Sequence, residues 1–397
     1  MPAQKIVSPE RIFFEAPREK KFLIGNEAVG EAIKRANVDV VVVYPVTPQS
    51  EAAHVLGDLY AQGYIKDYYR GEDEFNVMSA VAGAAMGGVR VFTATCGPGT
   101  LRAFEMFPCW AGERLPIVCA FMTRGVNAPL TIQPDNIEIG WLADTGMLIF
   151  HAEDPQEFFD MILKAFIVAE QPDVHLPVGV CVDGFFVTHT REIVELPPED
   201  EALPPYDPSV SPVVTMDMET VPVRHMKDPF VMKSNYISYN AHASWQQEVR
   251  AAAERSRKYI AKYMGNSVEV VHPEAEVLFM TSGTAAAQAR VAMERLREEG
   301  IDIGLAKIKV IRPFPDQEVM EAAARARTII VPEHNITGWL AREIKSRVSD
   351  NAKIFGGPRV FGGMTMPPEV IVTETKKLLA ERGGHLGLRR PLVAARG

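Results

Sequence analysis

Cysteine is scarce in this chain: four among 397 residues, Cys96, Cys109, Cys119 and Cys181, with no C-x-x-C pair. That scatter excludes an iron–sulfur or zinc cassette built by this chain alone. The nine histidines show no H-x-x-x-H or comparable ligand spacing, so no metal site is expected here. No run of about 18 apolar residues exists to span a bilayer. No basic-then-apolar leader precedes a small-residue cleavage point, and a reduced, cytoplasmic setting is expected. Basic stretches interleaved with aromatics are missing too, and the net charge is −9 with a pI near 5.6. Nucleic acid and anionic membrane are therefore poor partners, and the acidic surface is read as serving solubility.

What remains is an ordinary globular composition, 47% hydrophobic and 23% charged, with a mean hydropathy of −0.03. The length leaves room for about two or three domains. Three β-branched runs, Val40 to Tyr44, Val89 to Thr93 and Ile117 to Phe121, stop at Pro, Gly or Thr, as buried parallel strands do where they meet a crossover. Alanine-rich helical patterns (Asn26 to Ala36, Glu74 to Gly87, Pro155 to Ala169) alternate with them, which predicts βαβ units and a parallel sheet. Polar residues then collect at the carboxyl ends of the strands, where open α/β sheets bind ligands.

The organisation expected is an N-terminal arm over 1–21, an α/β domain over 22–196 and a Pro- and acid-rich linker with a connecting helix (Trp245 to Met264) over 197–265. A second α/β domain over 266–372 and a tail over 373–397 complete it. In the second domain a strand from Glu276 to Met280 leads through Thr281-Ser282-Gly283-Thr284 into a helix from Ala285 to Glu299. Ser282 or Thr284 is expected to cap that helix or to line an anion-binding turn. Ile303 to Ile311 and Thr328 to Val331 supply further strands.

Several residues are suited to chemistry. Glu74 opens an Ala/Gly-rich helix and follows Glu72 and Asp73; such a trio either decorates the helix dipole or presents one carboxylate inward. Thr47 lies between Pro45 and Pro48, which stiffen its loop; it either caps the next helix, from Pro48 to Gly57, or points a hydroxyl at a ligand. Arg124 follows the third strand and is suited either to a surface ion pair or to a two-pronged grip on a carboxylate. Cys96, in the Gly97-Pro98-Gly99 turn, lacks a base and is read as structural. His151, His189 and His334 are read as making local hydrogen bonds.

Tyr44-Pro45-Val46-Thr47-Pro48, Glu74 ahead of Gly83, Thr93-Ala94-Thr95-Cys96-Gly97-Pro98-Gly99, Arg124, Asp183-Gly184-Phe185 and Arg312-Pro313-Phe314-Pro315 occur in collinear order. In this the chain resembles the alpha subunit of the 2-oxoacid:ferredoxin oxidoreductase family over about residues 22 to 370. The resemblance implies a pyrimidine-type thiamine diphosphate-binding domain followed by a transketolase C-terminal-like domain. It assigns Glu74 to the aminopyrimidine N1′, where a carboxylate activates the cofactor, Thr47 and Arg124 to the substrate, and Tyr44, Pro45, Thr95 and Gly97 to cofactor binding.

The diphosphate and Mg²⁺ side of such a site uses a Gly-Asp-Gly segment, which this chain lacks. A beta subunit is therefore implied for that half, with [4Fe-4S] clusters on gamma and ferredoxin-like delta subunits, ferredoxin or NAD as acceptor, and coenzyme A as co-substrate. The aromatic group Phe104, Phe107, Trp110, Phe121 and Trp141 favours an aryl 2-oxoacid such as phenylglyoxylate over pyruvate or a branched acid, if it lines a pocket. The alternatives are a non-catalytic thiamine-fold scaffold and a non-oxidative transketolase- or decarboxylase-type half.

Overall fold

The computed structural model describes residues 4–126, 129–211, 239–350 and 353–381. Its centre is a seven-stranded sheet in the order Val310–Arg312, Leu148–Ala152, Val178–Asp183, Val118–Thr123, Val91–Thr95, Val40–Val43, Asp67–Arg70. All neighbours are parallel except the first pair, which is antiparallel. The central strands are buried along their whole length, which is why their sequences read as continuous apolar runs without a polar face.

Side chains alternate between two cores. Val41, Val43, Ala120 and Phe150 face the helices Gly25–Ala36 and Pro155–Ala169, whereas Val42, Cys119, Phe121 and Ile149 face the helix Glu74–Met86. The second core does not stop at the domain edge. It continues through Leu278, Met280 and Ile308 of a five-stranded sheet, ordered Val268–Val271, Ile303–Ile308, Val277–Thr281, Thr328–Glu333, Ile354–Arg359, and through Trp339 of the helix Trp339–Lys345 beside it. The two α/β units therefore share one apolar interior.

Several boundaries differ from the sequence expectation. The second strand occupies Val91–Thr95 rather than 89–93, because Arg90 serves the turn before it: its carbonyl accepts from the amides of Asp39 and Val40, and its amide donates to Asp39 Oδ2. The run Ile303 to Ile311 is two strands. It breaks at Lys309, so that Ile303–Ile308 joins the five-stranded sheet and Val310–Arg312 crosses to pair with Leu148–Ala152 of the other.

Other departures follow the chain's ends and linker. The connecting helix is longer than expected, Tyr239–Met264, and a helix Pro368–Glu381 runs across the expected boundary at 372. The linker's first part is a packed arm: Glu201–Ala202 pairs with Lys5–Ile6, and the Pro197 carbonyl accepts from the Arg35 guanidinium at 2.9 and 2.7 Å. Its remainder, and the arginine-rich tail after Glu381, lie outside the described residues. Among the described residues no helix is long and apolar enough to cross a membrane.

Candidate active site

The three acids at the start of the helix Glu74–Met86 have separate fates. Glu72 is exposed, and Asp73 caps the helix by accepting the Asn76 amide at 2.8 Å. Glu74 turns inward and is only 7% exposed, with the Arg102 Nε 4.0 Å from its Oε2. Room for its carboxylate comes from Gly99: a Cβ there would lie 2.7 Å from Glu74 Oε1 and 2.5 Å from the Thr95 hydroxyl. That hydroxyl is buried without a hydrogen-bond partner. A buried carboxylate with one cation at the limit of ion-pair distance, an unsatisfied hydroxyl and a side-chain-free turn thus leave polar groups available to a hydrogen-bonding ligand.

Arg124, 6% exposed, ends the strand Val118–Thr123, and its Nη1 donates to the Thr47 carbonyl at 2.6 Å. The Cys96 thiol donates to the same carbonyl at 3.1 Å. Burial pushes that thiol well above its usual pKa, in keeping with a structural cysteine. Gly97, at φ +41°, lies against the arginine stem, where a Cβ would meet Arg124 Cγ at 2.6 Å. Arg124 makes no ion pair among the described residues, and its buried Nε is unpartnered. The surface-ion-pair alternative therefore fails, and a donor is left for a carboxylate.

Thr47 is not a helix cap. The next helix is Ser50–Ala61 and begins after Gln49, whose side-chain oxygen accepts the Val46 amide at 3.3 Å. Thr47, Tyr44 and Pro45 are half-buried at the end of Val40–Val43. The structure thus gathers Thr47, Arg124 and Gly97 in direct contact, and Glu74, Thr95 and Gly99 in a second contact group. The turn Cys96–Gly99 joins the groups.

Sequence reasoning passed over Glu138. It lies on the short helix Ile137–Leu142, is 0% exposed, and accepts the Arg124 amide through Oε1 at 3.0 Å. Burial pushes its pKa up to about 7, against the Thr100 hydroxyl and the amides of Gly97 and Arg124, which face the carboxyl and favour its charged form. Its Oε2 closes no hydrogen bond of ordinary geometry. The only sequence signal was an acid in the first turn of a helix, where acids are common on any surface.

Three other expectations are corrected. Phe107, Trp110 and Phe121 are fully buried and pack edge-to-face, with centroids 5.3 Å apart for Phe107 against each of the others. These three are core rather than pocket lining, while Phe104 and Trp141 are half-buried, so only two of the five aromatics are left for the aryl reading. Nor do Ser282 and Thr284 cap their helix, whose N-cap is Gly283. The Ser282 hydroxyl pairs with His151 Nδ1 at 3.0 Å, and the Thr284 amide donates to Asp183 Oδ2 at 3.0 Å. The hydroxyls of both residues and the Thr284 amide are thus engaged by the chain itself.

Finally, His151 and His334 make long-range contacts. Both flank the buried Asp183, at 3.7 and 3.5 Å. Burial pushes the Asp183 carboxyl up, but the two imidazoles beside it overcome that and hold it well below the usual range. Arg312 is likewise structural, donating to the Ala143 carbonyl and pairing with Glu343 at 2.9 Å.

Known proteins resemble this chain along most of its length. The family model for the thiamine diphosphate-binding region of pyruvate flavodoxin/ferredoxin oxidoreductase matches residues 31–256, and that for pyruvate:ferredoxin oxidoreductase core domain II matches residues 275–371. The pyruvate synthase subunit PorA of Methanothermobacter thermautotrophicus is 34% identical over 90% of this chain and 95% of its own. The ketoisovalerate oxidoreductase subunit VorA of Pyrococcus abyssi is 32% identical over 84% and 86%. Among solved structures, 2-oxoglutarate:ferredoxin oxidoreductase from Magnetococcus marinus superposes with a TM-score of 0.74 at 22% identity. That match covers 91% of this chain but 65% of the other, so this chain spans a little under two thirds of that one's length. With both units matched in order and relatives above 30% identity along most of its length, the chain belongs to the pyruvate flavodoxin/ferredoxin oxidoreductase family and contains its thiamine diphosphate-binding domain.

Proposed function

We propose that this chain is the alpha subunit of a complex that oxidatively decarboxylates a short aliphatic 2-oxoacid to its acyl-CoA and passes the two electrons to iron–sulfur clusters on partner subunits. A beta subunit would hold the diphosphate and Mg²⁺, since this chain has no Gly-Asp-Gly. Gamma and ferredoxin-like delta subunits would lead to ferredoxin or NAD. Thiamine diphosphate, when bound, supplies a nucleophilic carbon and a sink for the electron pair released with CO₂.

The residues of this chain do the rest. Glu74 would hold the proton at the pyrimidine N1′. The Thr95 hydroxyl and the bare face of Gly99 shape the space beside it, with Tyr44, Pro45 and Gly97 around the rim. Arg124 would grip the substrate carboxylate, and Thr47 would orient the keto oxygen. The observation that carries this reading is the pairing of a buried, lightly contacted Glu74 with an Arg124–Thr47 wall across one glycine turn. The aliphatic substrate is favoured because pyruvate and ketoisovalerate appear in the relatives' names and three of the five aromatics, Phe107, Trp110 and Phe121, are packed core. Phenylglyoxylate belongs in the assay panel as the competing substrate.

Glu74→Gln in the assembled complex is expected to lower 2-oxoacid-dependent acceptor reduction by roughly 10²-fold or more, with unfolding temperature and subunit composition unchanged. A fully active Gln variant defeats the assignment. A wild-type complex without visible iron–sulfur absorption, or one that turns over with no acceptor, returns the chain to the non-oxidative alternative.

A further inference from the structure

Glu138 is the most deeply buried carboxyl near the site, yet it makes no ion pair among the described residues. Burying a carboxyl without a cation is costly unless hydrogen bonds satisfy it. The partners that face Glu138 belong to the walls of the candidate site. The Arg124 amide donates at 3.0 Å, and the Gly97 amide and Thr100 hydroxyl come from the turn and short helix that shape the space around Glu74. The same turn presses Gly97 onto the arginine stem, and Arg124 then reaches the Thr47 carbonyl at 2.6 Å.

We propose that Glu138 is a positioning residue for the substrate carboxylate: from beneath, it accepts the Arg124 backbone amide while its helix packs against the helix that begins at Gly97, and so it fixes the direction in which the guanidinium is presented. This rests on the reading of Arg124 as the carboxylate-binding group. The tie acts on substrate binding and leaves the cofactor side, governed by Glu74, in place. A glutamine can keep an acceptor oxygen toward the Arg124 amide, whereas alanine removes it and aspartate is one methylene too short to reach.

The test uses the assembled complex with the 2-oxoacid that the wild type turns over fastest. Glu138→Ala is expected to raise KM for that acid roughly tenfold or more, while kcat and the apparent affinity for thiamine diphosphate stay within about threefold. Glu138→Gln is expected to restore KM to within about threefold of wild type. If the alanine variant does not assemble, Glu138→Asp takes its place with the same expected rise in KM.

An assembled Ala or Asp variant with unchanged KM overturns the proposal. So does one in which KM rises while kcat and cofactor affinity fall by comparable factors, since that marks general damage to the core. A wild-type complex inert toward every 2-oxoacid instead overturns the underlying reading of Arg124, and the proposal with it.

Discussion

Two glycines in the Cys96–Gly99 turn keep apart functions that a methyl group would mix. Gly99 has an ordinary backbone conformation, so alanine is conformationally tolerated there, but its Cβ would press on Glu74 Oε1 at 2.7 Å. Gly99→Ala should therefore lower kcat roughly tenfold or more while the unfolding temperature stays nearly constant, read by steady-state kinetics beside calorimetry. Gly97 differs because its φ of +41° already disfavours a side chain. The sequence singled out Glu74, Thr47 and Arg124 through short segments carrying prolines and glycines, and the roles proposed for them come from the family resemblance. Glu138 was not singled out, since only the loop fold between Arg124 and Ile137 carries that acid inward. For Thr47 the sequence offered a helix cap or a hydroxyl aimed at a ligand, whereas its carbonyl, as the acceptor for Arg124 and Cys96, became visible only in three dimensions.

Between elements, the junction of the two sheets is held by a buried polar cluster. Asp183, at the end of Val178–Asp183, meets Thr284 from one neighbouring helix start, His334 from the end of Thr328–Glu333, and His151 from Leu148–Ala152. Because its folded pKa lies below the usual 3.8, the stability it contributes is present above that value and is lost as pH falls through the folded one. Asp183→Asn should cost about 2–3 kcal/mol near pH 7, and the gap between variant and wild type should close in acid below the usual carboxylate range; calorimetry across pH measures it. An equal loss at every pH would mean that the carboxylate charge has no part in the junction. Single sequences show such clusters poorly, because Asp183, Ser282 and His334 are far apart in the chain and each alone resembles a turn or cap residue. Strand existence and order of helices were legible from apolar periodicity, whereas the break at Lys309 was not: an unbroken apolar run does not say which sheet its two halves join.

Under the proposed function this chain as a whole carries half of a cofactor site, and exposed apolar side chains lie on the elements beside it. Phe75, Leu101 and Tyr69 are 40%, 43% and 44% exposed on the elements that bear or flank Glu74, as suits a face completed by another subunit. The isolated chain is expected to bind thiamine diphosphate with Mg²⁺ at least roughly a hundredfold more weakly than the assembled complex. Isothermal titration of each decides this, and equal affinity would mean that the chain encloses the cofactor by itself. The expected division into independent domains was readable only in outline, because the shared interior and the exchanged strand Val310–Arg312 depend on long-range packing.

That exchanged strand also sets an order of events while the chain is being made. Leu148–Ala152 emerges from the ribosome long before the segment that covers its free edge, and at about 5–20 residues per second the wait is on the order of ten to thirty seconds. During that interval the nascent chain exposes an apolar strand with unpaired backbone groups. A holding chaperone, or slow and cool expression, is what the newborn polypeptide needs at that point, and a gene cut before Val310 leaves the edge open for good.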